Sequence, residues 1–248
     1  MSAALEGVIM KSKLLGYFVG AAIAGAFLVS TVRAASLVDG SFEDPAVPVG
    51  GFTLFSTGQT FGTGSPWTVV GVGGGNVGIV YTNFLQNGIT FPAENGNQWI
   101  DLTGITNSPA EGVQQTVATT IGQQYGLSFY VGNVNNVGGI FGTTSTVDVD
   151  INGSQVLAAD NSCTSCTSTL AWQLFTTTFT ASTTSTTLAF LNGDPSNDTS
   201  NALDNITLNA TTVPPTPLPA ALPLFATGLG AMGLIYWRRK RKPQAVAA

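Results

Sequence analysis

Between Ala35 and Thr212 the chain contains no lysine, no arginine and no histidine. All 8 basic residues lie near the two ends: Lys11, Lys13, Arg33 and the run Arg238-Arg239-Lys240-Arg241-Lys242. Of the 13 acids only Glu6 falls outside the central stretch, so that stretch carries 12 acids, no bases and a formal charge of −12. This absence excludes several chemistries at once. Nucleic acid binding needs cations against phosphate, so nucleic acid is not a partner, and phosphate-ester substrates are disfavoured for the same reason. A Ser-His-Asp triad, a Cys-His pair and an arginine clamp cannot be assembled. The acids have no ion-pair partners and are left to water, to backbone N–H groups or to a metal ion.

Both ends read as address segments. Met10 to Ala34 places Lys11 and Lys13 before an apolar run, Leu14 to Val29, and ends on Val32-Arg33-Ala34, the pattern of a secretory signal peptide. Residues before Met10 add nothing to it, which makes Met10 a candidate start. At the other end a Pro-rich spacer, residues 213–219, leads into an apolar run, residues 220–237, and a basic tail, residues 238–248. The run has about the minimum length of a membrane span, and the basic cluster after it sets the cytoplasmic side. The stretch from 35 to 212 is therefore expected outside the cytoplasm as one domain. Cysteine is scarce, 2 in the whole chain, and both stand in Cys163-Thr-Ser-Cys166. No second pair and no histidine exist to complete a zinc site. In a Ser/Thr-rich loop of an exported chain, with no helix signal behind it, the pair reads as a small local disulfide.

Helical periodicity is also missing from the central domain. What is there alternates with period two. Tyr125, Leu127, Phe129 and Val131 alternate with small or polar residues, as do Val147, Val149 and Ile151; Phe175 and Phe179 share one face of a Thr-rich run, and Leu188 and Phe190 repeat the pattern. Gly and Asn clusters separate the runs, and Asn152-Gly153 is a strong hairpin signal. About ten short strands over this length predict an all-β, antiparallel sandwich of jelly-roll type. Two long Gly-rich loops, Ser56–Pro66 and Asn133–Thr144, are expected at its ends.

Three kinds of site can be built without cations. Glu94, Asp101 and Glu111 offer a carboxylate pair of the glycosidase kind. The stretch Glu94-Asn-Gly-Asn-Gln-Trp-Ile-Asp-Leu102 combines an aromatic plane with hydroxyl-binding polar groups. Strand alternation puts Ile100 and Leu102 on one face and Trp99, Asp101 and Thr103 on the other. With Ile100 and Leu102 in the core, Trp99 either faces outward as a sugar platform beside Asp101 and Asn97, or packs under a loop or neighbouring strand. Tyr81, Phe84 and Phe91, just upstream, would extend a platform. Trp67 and Trp172 read as core. The third kind is a calcium site, for which Asp39, Glu43, Asp44 and Asp204 are available.

Two resemblances complete the reading. Thr216-Pro217-Leu218-Pro219-Ala220 through Arg238-Arg239-Lys240-Arg241-Lys242 resembles a PEP-CTERM sorting signal of the "VPLPA" variant, with Thr216 where valine is expected. That family implies a Gram-negative host, recognition by an exosortase, cleavage near the Pro motif (Pro217, Leu218, Pro219, with Arg238 and Arg239 closing the signal), and a final place at the cell surface or in the exopolysaccharide matrix. The domain itself more loosely resembles galactose-binding-like jelly rolls through Val38-Asp-Gly-Ser-Phe-Glu43, Gly96-Asn-Gln-Trp-Ile-Asp-Leu-Thr-Gly104 and Leu203-Asp-Asn-Ile-Thr-Leu208. By analogy with related carbohydrate-binding modules, Glu43 and Asp204 would hold a structural calcium. The expectation is a non-catalytic polysaccharide-binding matrix or surface protein. A structural or adhesive protein without a small ligand, and a carboxylate-only glycosidase, are its alternatives.

Overall fold

The computed structural model describes residues 36–71, 74–108, 110–196, 198–211 and 221–240. The signal segment and Pro217, Leu218 and Pro219 lie outside these residues. Within them the domain is an antiparallel β-sandwich, as the period-two pattern requires. One sheet has six strands in the order β1 (Phe52–Ser56), β3 (Asn76–Tyr81), β6 (Gln98–Asp101), β13 (Ala202–Ala210), β8 (Gln124–Asn133) and β11 (Ala171–Thr180). The other has five: β10 (Ser154–Asn161), β9 (Ser145–Ile151), β12 (Ser185–Asn192), β7 (Gly112–Ala118) and β2 (Thr68–Val70). A separate two-stranded hairpin pairs β4 (Phe84–Gln86) with β5 (Ile89–Phe91).

Alternation decides which side chains meet between the sheets. Tyr125, Leu127, Phe129 and Val131 of β8 face Val147, Val149, Leu188 and Phe190 of the opposite sheet in one buried core. Phe129 and Phe190 meet edge to face at 5.3 Å, and the cross-strand partner Phe175 stacks on Phe129 at 6.0 Å. Trp67 is fully buried and donates its indole N–H to the Asp39 carbonyl at 2.8 Å, as its apolar setting predicted. The Asn152-Gly153 turn joins β9 to β10 with φ of 52° and 78°, the left-handed pair that a tight hairpin turn demands.

A second, smaller core lies on the outer face of the six-stranded sheet. It contains Val80, Trp99 and Ala202 from the strands, Ile89 and Phe91 from the hairpin, and Val134, Phe141 and Leu170 from the connecting loops. The fold therefore has three layers at this place: sheet, sheet and a partial roof.

Helix α1, Ala221–Lys240, forms over the apolar run and carries Arg238, Arg239 and Lys240 in its last turn. Among the described residues no helix is long and apolar enough to cross a membrane. Of the 20 helical residues the last three are basic, and Gly228, Gly230 and Gly233 dilute the remainder.

Candidate functional site

The site follows from strand register. On the outer face of the six-stranded sheet, Gly78 of β3 and Ala202 of β13 stand directly beside Asp101 of β6. Both neighbours are nearly devoid of side chain, so the space above the carboxyl group stays open. One step along, Val80 stands beside Trp99 and Phe52 beside Val80. Further across, Gly132 pairs with both Ala202 and Trp172. A Cβ at Gly132 would stand 2.9 Å from the Trp172 ring, so its absence is what lets that indole lie over the sheet. Trp172 in turn meets Trp99 edge to face at 6.2 Å and donates its N–H to the Pro92 carbonyl at 3.0 Å.

The roof encloses this floor. Phe91 stacks on Trp99 at 6.0 Å with 19° between the planes, Phe141 meets Phe91 edge to face at 5.2 Å, and Phe84 reaches Phe52 at 5.7 Å. Thr199 anchors the long loop from below, its N–H and hydroxyl both donating to the Ile140 carbonyl at 2.9 and 2.7 Å. Between floor and roof is a cavity of ≈ 250 Å³ lined mainly by Phe52, Leu54, Val80, Phe84, Phe91, Trp99, Ile105, Ile140 and Phe141, with Asp101 as its one carboxylate.

Asp101 is held by one oxygen. Its Oδ1 accepts the Thr103 N–H at 3.0 Å, the Thr103 hydroxyl at 2.6 Å and, longer, the Asn201 N–H at 3.4 Å. Burial pushes its pKa from 3.8 up to about 6, against the lowering effect of those bonds. Burial also raises Asp198 to about 7 and Asp194 to about 8, and the Asp101 charge adds to both shifts, with Asp198 adding to that of Asp194. No cation stands in the domain to counter them. An acid poised near neutrality in an apolar chamber is suited to delivering a proton and holding the resulting anion.

The structure sorts the sequence-predicted residues sharply. Trp99 and Asp101 do share a face and a site. Trp99, however, is only 2% exposed, with its indole N–H buried and unpartnered, so it offers no outward platform; packing under a loop is the arrangement found. Phe84 and Phe91 join it. Tyr81 does not: odd–even parity along β3 turns it to the main core with Ile79. Asn97 is exposed on the turn before β6, where its N–H donates to Glu43 Oε1 at 2.7 Å. Glu94, Asp101 and Glu111 do not converge. Glu111 is buried and accepts the Thr106 hydroxyl through Oε2 at 3.0 Å, while Glu94 accepts the Asn205 side-chain N–H at 2.6 Å.

Glu43 and Asp204 are brought to the same turn, residues 94–98, but as acceptors of backbone N–H groups. Glu43 Oε1 takes Asn97 and Gln98 at 2.7 and 2.9 Å; Asp204 Oδ2 takes Glu94 and Asn95 at 2.9 and 3.0 Å. Among the described residues no three His, Cys, Asp or Glu side chains are grouped to hold a metal ion. Cys163 and Cys166 are free thiols, not the expected disulfide: the Cys166 thiol donates to the Cys163 carbonyl at 3.2 Å. Sequence reasoning missed the roof residues Ile140 and Phe141 and the wall residues Phe52 and Leu54.

The model of the HpiC1-like family, described as HpiC1 cyclase, matches residues 33–209. The chain belongs to the HpiC1-like family. No curated protein matches the sequence. Among solved structures, the Stig cyclase Fisc from Fischerella sp. TAU, in complex with (3Z)-3-(1-methyl-2-pyrrolidinylidene)-3H-indole, is similar at a TM-score of 0.50 and 16% identity, over 74% of this chain and 100% of that one. The CBM22-1 xylan-binding domain of Paenibacillus barcinonensis Xyn10C is similar at a TM-score of 0.40 and 16% identity, over 68% and 100% of the chains. Membership of the HpiC1-like family overturns the expectation of a non-catalytic polysaccharide binder. The physical reason is visible in the site: the tryptophan expected to stack on sugar at the surface is instead a buried wall of an apolar chamber around an acid.

Proposed function

We propose that the chain is a cyclase that closes a ring within an apolar, aromatic substrate, with Asp101 as general acid. The observation that carries this reading is a carboxyl group raised to about 6 at the floor of an aromatic-walled cavity of ≈ 250 Å³. The Asp101 proton passes to an electron-rich carbon of a substrate C=C bond and leaves a carbocation on the adjacent carbon. The faces of Trp99 and Phe91 stabilise that positive charge as a cation–π pair. A second π bond of the same molecule attacks the cation and forms the ring bond, and the proton then lost returns to the Asp101 carboxylate. Nothing is gained or lost, so the reaction is an isomerisation that needs no His, Lys or Arg. The family name supports cyclisation, and the indole compound held by the similar cyclase supports a fused aromatic substrate.

The test incubates the purified protein with indole-bearing alkenes and seeks a cyclised isomer of unchanged mass. Turnover should fall by roughly 10²- to 10⁴-fold in Asp101→Asn, the usual weight of a general acid. Full activity in that variant would overturn the role of Asp101; no turnover across the panel would overturn the reading.

Two finer readings belong with it. The sandwich is of the galactose-binding-like jelly-roll type. The enzyme is exported and processed at its C-terminal segment by an exosortase-type partner. The support for export is the sequence of residues 10–34 and 213–242. Mass spectrometry of the mature protein from its host reports both cut sites, and an unprocessed chain would remove the proposal.

A further inference from the structure

The turn Cys163-Thr164-Ser165-Cys166 is outside the chemistry described so far, yet its hydrogen bonds lead to two walls of the cavity. Asn135 holds the turn twice, through its backbone N–H on the Cys166 carbonyl at 2.9 Å and its side-chain N–H on the Thr164 carbonyl at 3.0 Å. The next residue, Asn136, closes the loop that carries Phe141: its N–H donates to the Gly142 carbonyl at 2.7 Å, and its Oδ1 accepts the Phe141 N–H at 3.4 Å. On the other side the chain leaving Cys166 pairs with β5. The Thr90 N–H donates to the Ser168 carbonyl at 3.0 Å and the Leu170 N–H to the Thr90 carbonyl at 2.9 Å, one residue from Phe91. The turn is therefore the common abutment of the roof loop and the roof hairpin.

The two thiols are unlike. Cys163 is half-buried between two exposed neighbours, Ser162 and Thr164, while Cys166 is buried. The neighbouring Cys166 side chain, the largest of several effects, holds the Cys163 thiol below its ordinary range, and burial pushes Cys166 up to about 11. The accessible sulfur is the better thiolate and the buried one the resolving thiol.

We propose that Cys163 and Cys166 form a reversible dithiol–disulfide site that takes small disulfides of the glutathione class, and that its state sets the placement of both roof walls. The Cys163 thiolate attacks one sulfur of the oxidant RS–SR, forming a mixed disulfide and expelling RS⁻. The Cys166 proton passes to that thiolate, and the Cys166 sulfur attacks the Cys163 sulfur and expels the second RS⁻, which takes the proton originally lost by Cys163. The protein loses two hydrogens and two RSH form. To bond to its partner, the Cys166 sulfur must release the Cys163 carbonyl, and any shift of the turn that follows reaches the roof through the Cys166 and Thr164 carbonyls that Asn135 grips.

The redox site is independent of the cyclase reading, and its test uses no substrate. The full chain is equilibrated across ratios of glutathione to glutathione disulfide, quenched by alkylation, weighed intact, and followed by the emission of the tryptophans. The expected result is an intramolecular disulfide that dithiothreitol reverses, with a matching reversible change in emission from Trp99 and Trp172. Cys166→Ser should accumulate the mixed disulfide at Cys163, and Cys163→Ser should form none. An absent disulfide at every ratio, one that dithiothreitol leaves intact, or trapping at Cys166 would overturn the redox site. A disulfide that forms without any change in emission would overturn its link to the roof. If the serine variants do not fold, the wild-type titration alone decides.

Discussion

Replacing Asp101 by asparagine should slow the chemistry and stabilise the fold, the second in a way that depends on pH. The carboxyl group is 3.8 in the ordinary case and about 6 in this site, with burial as the first cause. Below pH ~4 both folded and unfolded chains hold the proton, so the acid and the amide differ little. As pH rises from ~4 to ~6 the unfolded chain ionises first and the folded state loses stability; above ~6 the full cost persists. A gap of about two pH units, at roughly 1.4 kcal/mol each, sets a ceiling of ~3 kcal/mol. Water in the cavity screens part of it. Asparagine retains an Oδ1 to accept the three bonds now made to Thr103 and Asn201 and never ionises. Urea melts of both proteins near pH ~4 and ~8 test this: Asp101→Asn should match the parent at the lower pH and exceed it by up to ~3 kcal/mol at the higher, or ~6–12 °C in Tm for a domain of this size. An advantage equal at both pH values would refute the argument, because it would mean that the carboxyl is not the titrating group.

The same sign applies to the whole domain. Asp101, Asp194, Asp198 and Asp204 are all raised, to about 6, 8, 7 and 7, with burial the largest cause in each. The urea midpoint should therefore fall steadily as pH rises from ~5 to ~8; a midpoint that is flat or rises over that range would show that these acids sit in wetter surroundings. Trp99→Phe removes a buried N–H that has no partner and should cost less than ~1 kcal/mol, whereas Trp99→Ala opens a void and should cost ~3–5 kcal/mol by denaturant melt. Gly78→Val tests the chamber without disturbing the sheet: a Cβ there meets nothing closer than Leu54 at 3.6 Å, so melting should change little while binding of an indole ligand, read by tryptophan emission, is lost. Unchanged affinity would place the ligand elsewhere.

Much of the sandwich is legible locally because a strand announces itself within six or seven residues. Leu127, Phe129 and Val131, the Asn152-Gly153 turn and the opposed faces of Trp99 and Ile100 all follow from parity. Tyr81 shows the same rule neglected, since it lies an odd number of steps from Val80 and turns the other way. The roof is another matter. Phe91 and Phe141 meet across some fifty residues of intervening chain, and no local period records that a hairpin and a loop will fold back over a sheet's outer face. Without that roof an outward tryptophan points to sugar. The enzymatic reading escapes the sequence for a related reason. A search for histidine, lysine and arginine looks for nucleophiles and clamps, whereas proton-driven ring closure asks only for one acid whose pKa burial has raised.

A chamber erected on the back of a sheet separates two kinds of vulnerability. The main core lies between the sheets and the second lies under a three-residue-per-strand hairpin and a loop. Thin elements of this kind open locally at far lower free energy than the strands beneath them. The backbone amides of Thr90 and Asn136 should exchange with solvent well before those of Leu127 or Val149, and the chamber can breathe and admit a guest while the slab that carries its acid stays shut.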